Sequence, residues 1–386
     1  MISRRTLIGA AMALAVLWVG PAPLAQDPPI QFGALFNTSG PQTFFGAPAL
    51  HGARLAAETI NASGGVLGRS LELIEVDGDS NADAWTTLVP AALREHPRIS
   101  ALFGLSDSNN ALAAGRASAA ESHVFVTSGA TSPRLPEQVP TYLFLAAFGD
   151  NVQAAAAAEY AYGRLSARSA LVLFDPDHIY TRLLHGYFTT AFQGLGGTVA
   201  ASEAIAPRSA NPSVPEIGGA DLVFLSVESA DDAAVMIPII RATGFTGPIF
   251  GGDGYDSAST WSAHPDVADV YFTTHVYLGA DTQDPTVAAF IAAYEAAVPG
   301  ETPTAFSALA YDTVGLLATA LDNAGSAEPS SVADGLFAID GYQGVTGTIS
   351  YADGTRIPRK SVTILQIVDG AQTFVEQTTP SHVPTP

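Results

Sequence analysis

Short runs of β-branched and aromatic residues alternate along the chain with alanine-rich stretches whose apolar positions repeat at helical spacing, a rhythm that predicts parallel α/β units. Ile30 to Phe36 reads as a strand. The next segment places Leu50, Ala53, Ala57 and Ile60 on one helical face, with Pro48 in the first turn and Gly64-Gly65 as the stop. Strands are expected at 71–76, 99–103 and 124–126, with helices at 82–94 and 110–121 between them. Together these make one doubly wound sheet.

A second series begins with an alanine-rich helix over 151–165. It continues through strands at 170–174, 222–227, 249–250 and 270–273, joined by helices at 180–194 and 230–242. Two helices, 285–297 and 305–323, then precede strand-like segments at 346–351 and 361–368. The final residues, Thr378 to Pro386, read as a mobile tail. With 386 residues, 47% of them apolar, the chain can bury two cores.

The N-terminus changes the picture of where the chain works. Arg4 and Arg5 precede an apolar run from Leu7 to Val19, followed by small residues and prolines up to Ala25. This pattern reads as an export signal over residues 1–25, by the Sec or the twin-arginine route. The run is shorter than the roughly 20 apolar residues that a membrane-spanning helix requires. Periplasmic localisation is the expectation. Cysteine is absent, which excludes disulfides, thiolate metal sites, cysteine nucleophiles and lipoprotein acylation. A net charge of −21 disfavours nucleic acid, and the single lysine, Lys360, lies in no phosphate-binding loop.

In open α/β sheets ligands bind at loops beyond the carboxyl ends of strands. Four such loops carry chemistry. Residues 37–46 are polar and glycine-rich and end near Phe44-Phe45. Ser106-Asp107-Ser108 opens a helix, whose free N–H groups favour an anion. Residues 127–133 offer hydroxyls beside a backbone that Gly129 leaves open, and Gly251-Gly252-Asp253 carries one carboxylate. A free amino acid would find its carboxylate held by the Ser108 and Thr131 hydroxyls with helix amides, and its ammonium by Asp253. Each residue also has an ordinary reading: Ser108 as a helix cap, Asp253 and Thr131 as turn residues, Phe45 and Phe306 as core.

Enzyme signatures are weak. Gly104-Leu-Ser-Asp-Ser108 lacks the last glycine of a nucleophile elbow, and Gly194-Leu-Gly-Gly197 ends a helix where a dinucleotide fingerprint would open one. His178 and His185 lie two helical turns apart with no carboxylate set evident around them, so no metal is expected. Asp77, Asp79 and Asp83 read as a solvated acidic loop.

In order, the four loops resemble those of the periplasmic leucine/isoleucine/valine-binding proteins, the branched-chain amino-acid branch of type I solute-binding proteins. The markers are Ser39-Gly-Pro41, His51-Gly-Ala-Arg-Leu-Ala56 with Ile60-Asn-Ala-Ser-Gly-Gly-Val66, Gly129-Ala-Thr-Ser-Pro133, Ala310-Tyr-Asp312 and Gly344-Val-Thr-Gly-Thr348. The resemblance implies two lobes with a ligand cleft between them and three interlobe crossovers, near Ala147, His275 and Gly347. The N-terminal lobe is then 27–147 with 276–347, the C-terminal lobe 148–275 with 348–377, and 378–386 the tail.

It implies that Ser108, Gly129, Ala130 and Thr131 hold the ligand's head group, that Asp253 neutralises its ammonium, and that Phe45 and Phe306 line the side-chain pocket. Tyr180 matches a family tyrosine after a one-residue shift. Glu228 stands where leucine/isoleucine/valine binders carry a second tyrosine, which would put a charge near the ligand side chain. The implied role is that of a monomeric, cofactor-free subunit of an ABC importer, handing a branched-chain or related small amino acid or amide to an inner-membrane permease. A ligand-sensing module of the same fold is the alternative.

Overall fold

The computed structural model describes residues 27–386, so the export signal expected over residues 1–25 lies outside the described residues. Among these, no helix is long and apolar enough to cross a membrane.

The first sheet is built from β1 (Ile30–Phe36), β2 (Leu71–Asp77), β3 (Ile99–Gly104), β4 (Phe125–Thr127) and β5 (Leu143–Leu145), all parallel, in the order β2-β1-β3-β4-β5. β1 and β3 are buried along their whole length, as near-continuous apolar strands in a covered parallel sheet should be. One face is covered by α1 (Thr43–Ala62), the other by α2 (Trp85–Glu95), α3 (Ser108–Ala120) and the short α4 (Leu135–Gln138). α1 starts five residues before Pro48, so Phe44 and Phe45 lie in its first turn and not in a loop.

The second sheet begins after α5 (Asp150–Gly163) with β6 (Ser169–Phe174), α6 (Ile179–Gly194), β7 (Thr198–Ala204), β8 (Leu222–Ser226), α7 (Ala230–Ala242) and β9 (Ile249–Gly251). α8 (Ala258–Ser262) and β10 (Val270–Thr274) follow. The chain then returns to the first lobe with α9 (Pro285–Ala297), α10 (Ala305–Ala324) and α11 (Val332–Phe337), and forms a small antiparallel hairpin, β11 (Tyr342–Gly344) and β12 (Gly347–Ile349). α10 lies so close to α1 that a Cβ on Gly52 would come within 2.0 Å of the Ser307 carbonyl oxygen. β13 (Val362–Val368) and β14 (Ala371–Thr378) complete the second sheet, in the order β14-β13-β10-β9-β8-β6-β7, and are antiparallel where the rest is parallel. Helices cover both its faces, with α5 and α6 on one side and α7 on the other.

Two features depart from expectation. Ile349 and Tyr351 pack into the first lobe's core, and Leu145 N–H donates to the Arg356 carbonyl, so the last crossing falls nearer Lys360 than Gly347. At that crossing Lys360 is buried and donates to the Ala146 carbonyl and the Thr346 hydroxyl, which itself donates to Asp312. The tail is held in place: Glu159 on α5 accepts from the backbone N–H of Ser381 and His382, each at 2.8 Å, and Asn151 donates to the Pro384 carbonyl.

Candidate functional site

A narrow cavity lies between the lobes. The first lobe lines it with Phe45, Ser106, Asp107, Gly129, Thr131 and Phe306, the second with Tyr180, Glu228, Asp253 and Gly254. Seven of the nine residues expected from the sequence therefore converge there, and Ser108 and Ala130 do not line it.

The reason lies in the turn after β3. Leu105 takes a left-handed conformation (φ 51°), an uncommon one for a leucine, and donates its N–H to the Leu35 carbonyl. The chain leaves the strand so that Ser106 and Asp107 face the cavity. Asp107, not Ser108, caps α3 by accepting from Asn110 N–H, and Ser108 is buried as the first helical residue with its hydroxyl unpartnered. Ala130 is wholly buried and its N–H donates to the Thr127 hydroxyl. Gly129 sits where a Cβ would approach the Ser106 hydroxyl to 2.5 Å, so this strand end has no room for a side chain. Phe306 is fixed by the capping box of Thr304 and Ser307 at the start of α10, and its ring meets Phe45 edge-on, centroids 4.5 Å apart.

Asp253 follows β9 and is held by side chains far away in sequence. Its oxygens accept from Gln153 Nε2 at 2.9 Å and from His275 Nε2 at 2.9 Å. Burial pushes His275 below its ordinary value against the opposing pull of Asp253, so the ring is neutral. Gln153 in turn accepts from Asp253 N–H and the Thr273 hydroxyl. Tyr180, second residue of α6, accepts from Gly254 N–H; burial, then the Asp253 charge, hold its hydroxyl well above its ordinary value. Burial likewise holds Asp150, beside this network, well above the carboxylate range. Asp253 is thus a buried carboxylate with only neutral donors.

Glu228 differs. It lines the cavity, yet it accepts from Gln42 Nε2 at 2.7 Å and from Arg208, and lies 3.2 Å from His178 Nε2. The Gln42 bond spans the lobes, as does that from Ile179 N–H to Asn109 Oδ1 at 3.0 Å, so the lobes are closed over the cavity. Burial raises the Glu228 carboxyl, opposed by His178, with Asp107 adding to the rise and Arg208 opposing it. His178 does have carboxylates around it: Asp107 and Glu228 offer oxygens within 4.8 Å of its ring nitrogen and of each other. His185 instead stacks on Phe174 at 3.7 Å. Gln42, Ser106, Asp107, Gln153 and His275 were not among the expected ligand contacts, although Ser106 and Asp107 stood in a loop marked as a candidate. The polar run that contains Gln42 was the one signal available for it.

A sequence profile described as periplasmic binding protein matches residues 29–372. The chain belongs to the periplasmic binding protein family. This binding protein is 25% identical over 313 residues to an amino acid binding protein of Pseudomonas aeruginosa, covering 78% of this chain and 82% of the relative. It is also 25% identical over 311 residues to the Leu/Ile/Val-binding protein BraC3 of Rhizobium johnstonii, covering 80% and 82%. Its fold is shared with the branched-chain amino acid transporter substrate binding protein LivJ from Streptococcus pneumoniae in complex with isoleucine, at TM-score 0.82 and 24% identity over 92% of this chain and all of that one. The family is one of extracytoplasmic solute-binding proteins, and this chain matches its profile over most of its length.

Proposed function

We propose that the interlobe cavity captures the zwitterionic head of a small amino acid, and that closure of the lobes around it presents the complex to an inner-membrane permease. The observation that carries this reading is Asp253, a buried carboxylate on the cavity wall whose partners are neutral. A buried charge without a counter-charge is costly, and an ammonium group supplies the missing partner. Across the cavity, Ser106, Thr131 and the backbone at Gly129 offer hydroxyls and amides suited to a carboxylate. Ser106 takes the place that the sequence assigned to Ser108. The isoleucine bound by the structural neighbour and the names of the relatives support the same ligand class.

In this reading the protein works without cofactor or catalysis, as a monomer exported by the leader at residues 1–25, with the N-terminal lobe built from 27–147 and from 276 to near Lys360. Calorimetry against a panel of amino acids, amides and carboxylates tests it. Micromolar or tighter binding of at least one α-amino acid, lost in Asp253→Ala, is expected. Binding of carboxylates alone, unchanged in that variant, would overturn it.

A further inference from the structure

We propose that the ligand carries a second cationic group, seated between Asp107 of the first lobe and Glu228 of the second. This rests on the amino-acid reading above and narrows it to basic side chains or their analogues. The charge inventory carries the argument. The cavity lining contains three carboxylates, Asp107, Glu228 and Asp253, and no lysine or arginine. Asp253 is assigned to the ligand's α-ammonium, which leaves two carboxylates at the other end.

Asp107 is also held by neutral donors alone. Both of its hydrogen bonds, from Asn110 N–H and Asn110 Nδ2, fall on Oδ1. Glu228 has Arg208 and His178 beside it, but both are shared. Arg208 donates to both oxygens of Asp232, at 2.9 and 2.7 Å, and His178 lies 3.9 Å from Asp175. Arg208, the one fixed cation here, thus serves both Glu228 and Asp232, and the deficit falls on the cavity side.

The two carboxylates belong to different lobes, yet in the closed form they come within 4.8 Å of each other and of His178. Closing therefore brings like charges together, which opposes closure until a cation lies between them. Burial and the nearby Asp107 both act against ionisation of Glu228, as that repulsion requires. The Phe45–Phe306 pair gives an apolar, π-faced wall along which a methylene stem ending in an ammonium or guanidinium can lie. A leucine side chain supplies nothing for Asp107.

Calorimetry of the purified protein with L-lysine, L-ornithine, L-arginine, L-norleucine and L-leucine decides the matter. Norleucine is the control because it keeps the stem of lysine without the charge. At least one basic amino acid should bind tenfold or more tightly than norleucine, and Asp107→Asn, which retains the helix cap, should collapse that ratio to below threefold. Glu228→Gln is the second variant and should reduce the ratio as well. Leucine or norleucine binding as tightly as every basic amino acid overturns the inference while leaving the zwitterion reading intact. No amino acid binding at all overturns both. Stoichiometric binding of Ca²⁺ or Zn²⁺ alone, lost in Asp107→Asn, overturns it in favour of a metal bridge.

Discussion

The first lobe reaches the cavity with Ser106, Asp107, Gly129, Thr131 and two phenylalanines, whereas the second presents Tyr180, Glu228, Asp253 and Gly254. Both lobes are doubly wound sheets that place helix starts and strand ends at the cavity, so the architecture does not account for the difference. The loops do. One lobe supplies hydroxyls, amides, apolar surface and a single carboxylate, and the other supplies two carboxylates. Within the second lobe there is a further contrast: Glu228 is paired with Arg208, and Asp253 has no lysine or arginine beside it. A carboxylate's neighbours, more than its presence, determine what it asks of a ligand.

The strongest way to break this comparison is to remove charge from one lobe and hydroxyl from the other. Asp253→Ala should weaken amino-acid binding by 100-fold or more, about 3 kcal/mol, because a buried ammonium loses its counter-charge. Circular dichroism should show the fold retained. Thr131→Ala should cost only about 1 kcal/mol in the same titration, the worth of one hydrogen bond. Equal losses in the two variants would erase the asymmetry between lobes.

A third buried acid sharpens it. Asp256, next to the Asp253 turn, has its carboxyl pushed up by burial to about 6 from an ordinary 3.8. Between those values the folded protein binds a proton that the unfolded chain does not. Asp256 thus contributes stability that is full below pH 3.8 and is lost as pH rises through about 6. Asp256→Asn should therefore be more stable than the parent by about 3 kcal/mol at pH 8, with the gap closing towards pH 4 in urea melts. A gap independent of pH would show that Asp256 is not the titrating group.

Smaller effects bear on the fit between lobes. Gly129→Ala places a Cβ 2.5 Å from the Ser106 hydroxyl and should lower affinity about tenfold, about 1.4 kcal/mol, through displaced donors. Gln42→Ala removes an interlobe bond to Glu228 and should speed ligand release a few-fold, about 0.5–1 kcal/mol, in stopped-flow measurements. An unchanged release rate would mean that Gln42 does not hold the closed form.

Much of this arrangement was legible in the sequence, for physical reasons. Central strands such as β1, β3, β6 and β8 are buried on both faces and so read as apolar runs. The strands β7 and β14 were missed because they lie at sheet edges, where Thr198–Ala204 and Ala371–Thr378 leave most side chains in water. β5, at the edge of the first sheet, is only three residues long.

The cavity residues were found where a loop follows a recognisable strand, as with Asp253 and Thr131. Ser108 was preferred to Ser106 because nothing in the letters of Gly104-Leu105-Ser106 announces a left-handed leucine. Gln153 and His275 bond Asp253 from 100 and 22 residues away, and such pairings belong to tertiary packing alone. Thr378–Pro386 read as loose for want of apolar anchors, yet backbone amides suffice to fasten it to Glu159.

The sole lysine of the chain, Lys360, is concealed where the backbone passes between lobes for the last time. Burial lowers its ammonium to about 8, so a substantial share is uncharged and nucleophilic in mildly alkaline buffer, but shielded. Acylating reagents can reach this nitrogen only when the connecting segments part. The rate of Lys360 modification, read by mass spectrometry, would therefore report how often these crossing segments separate, without any engineered label.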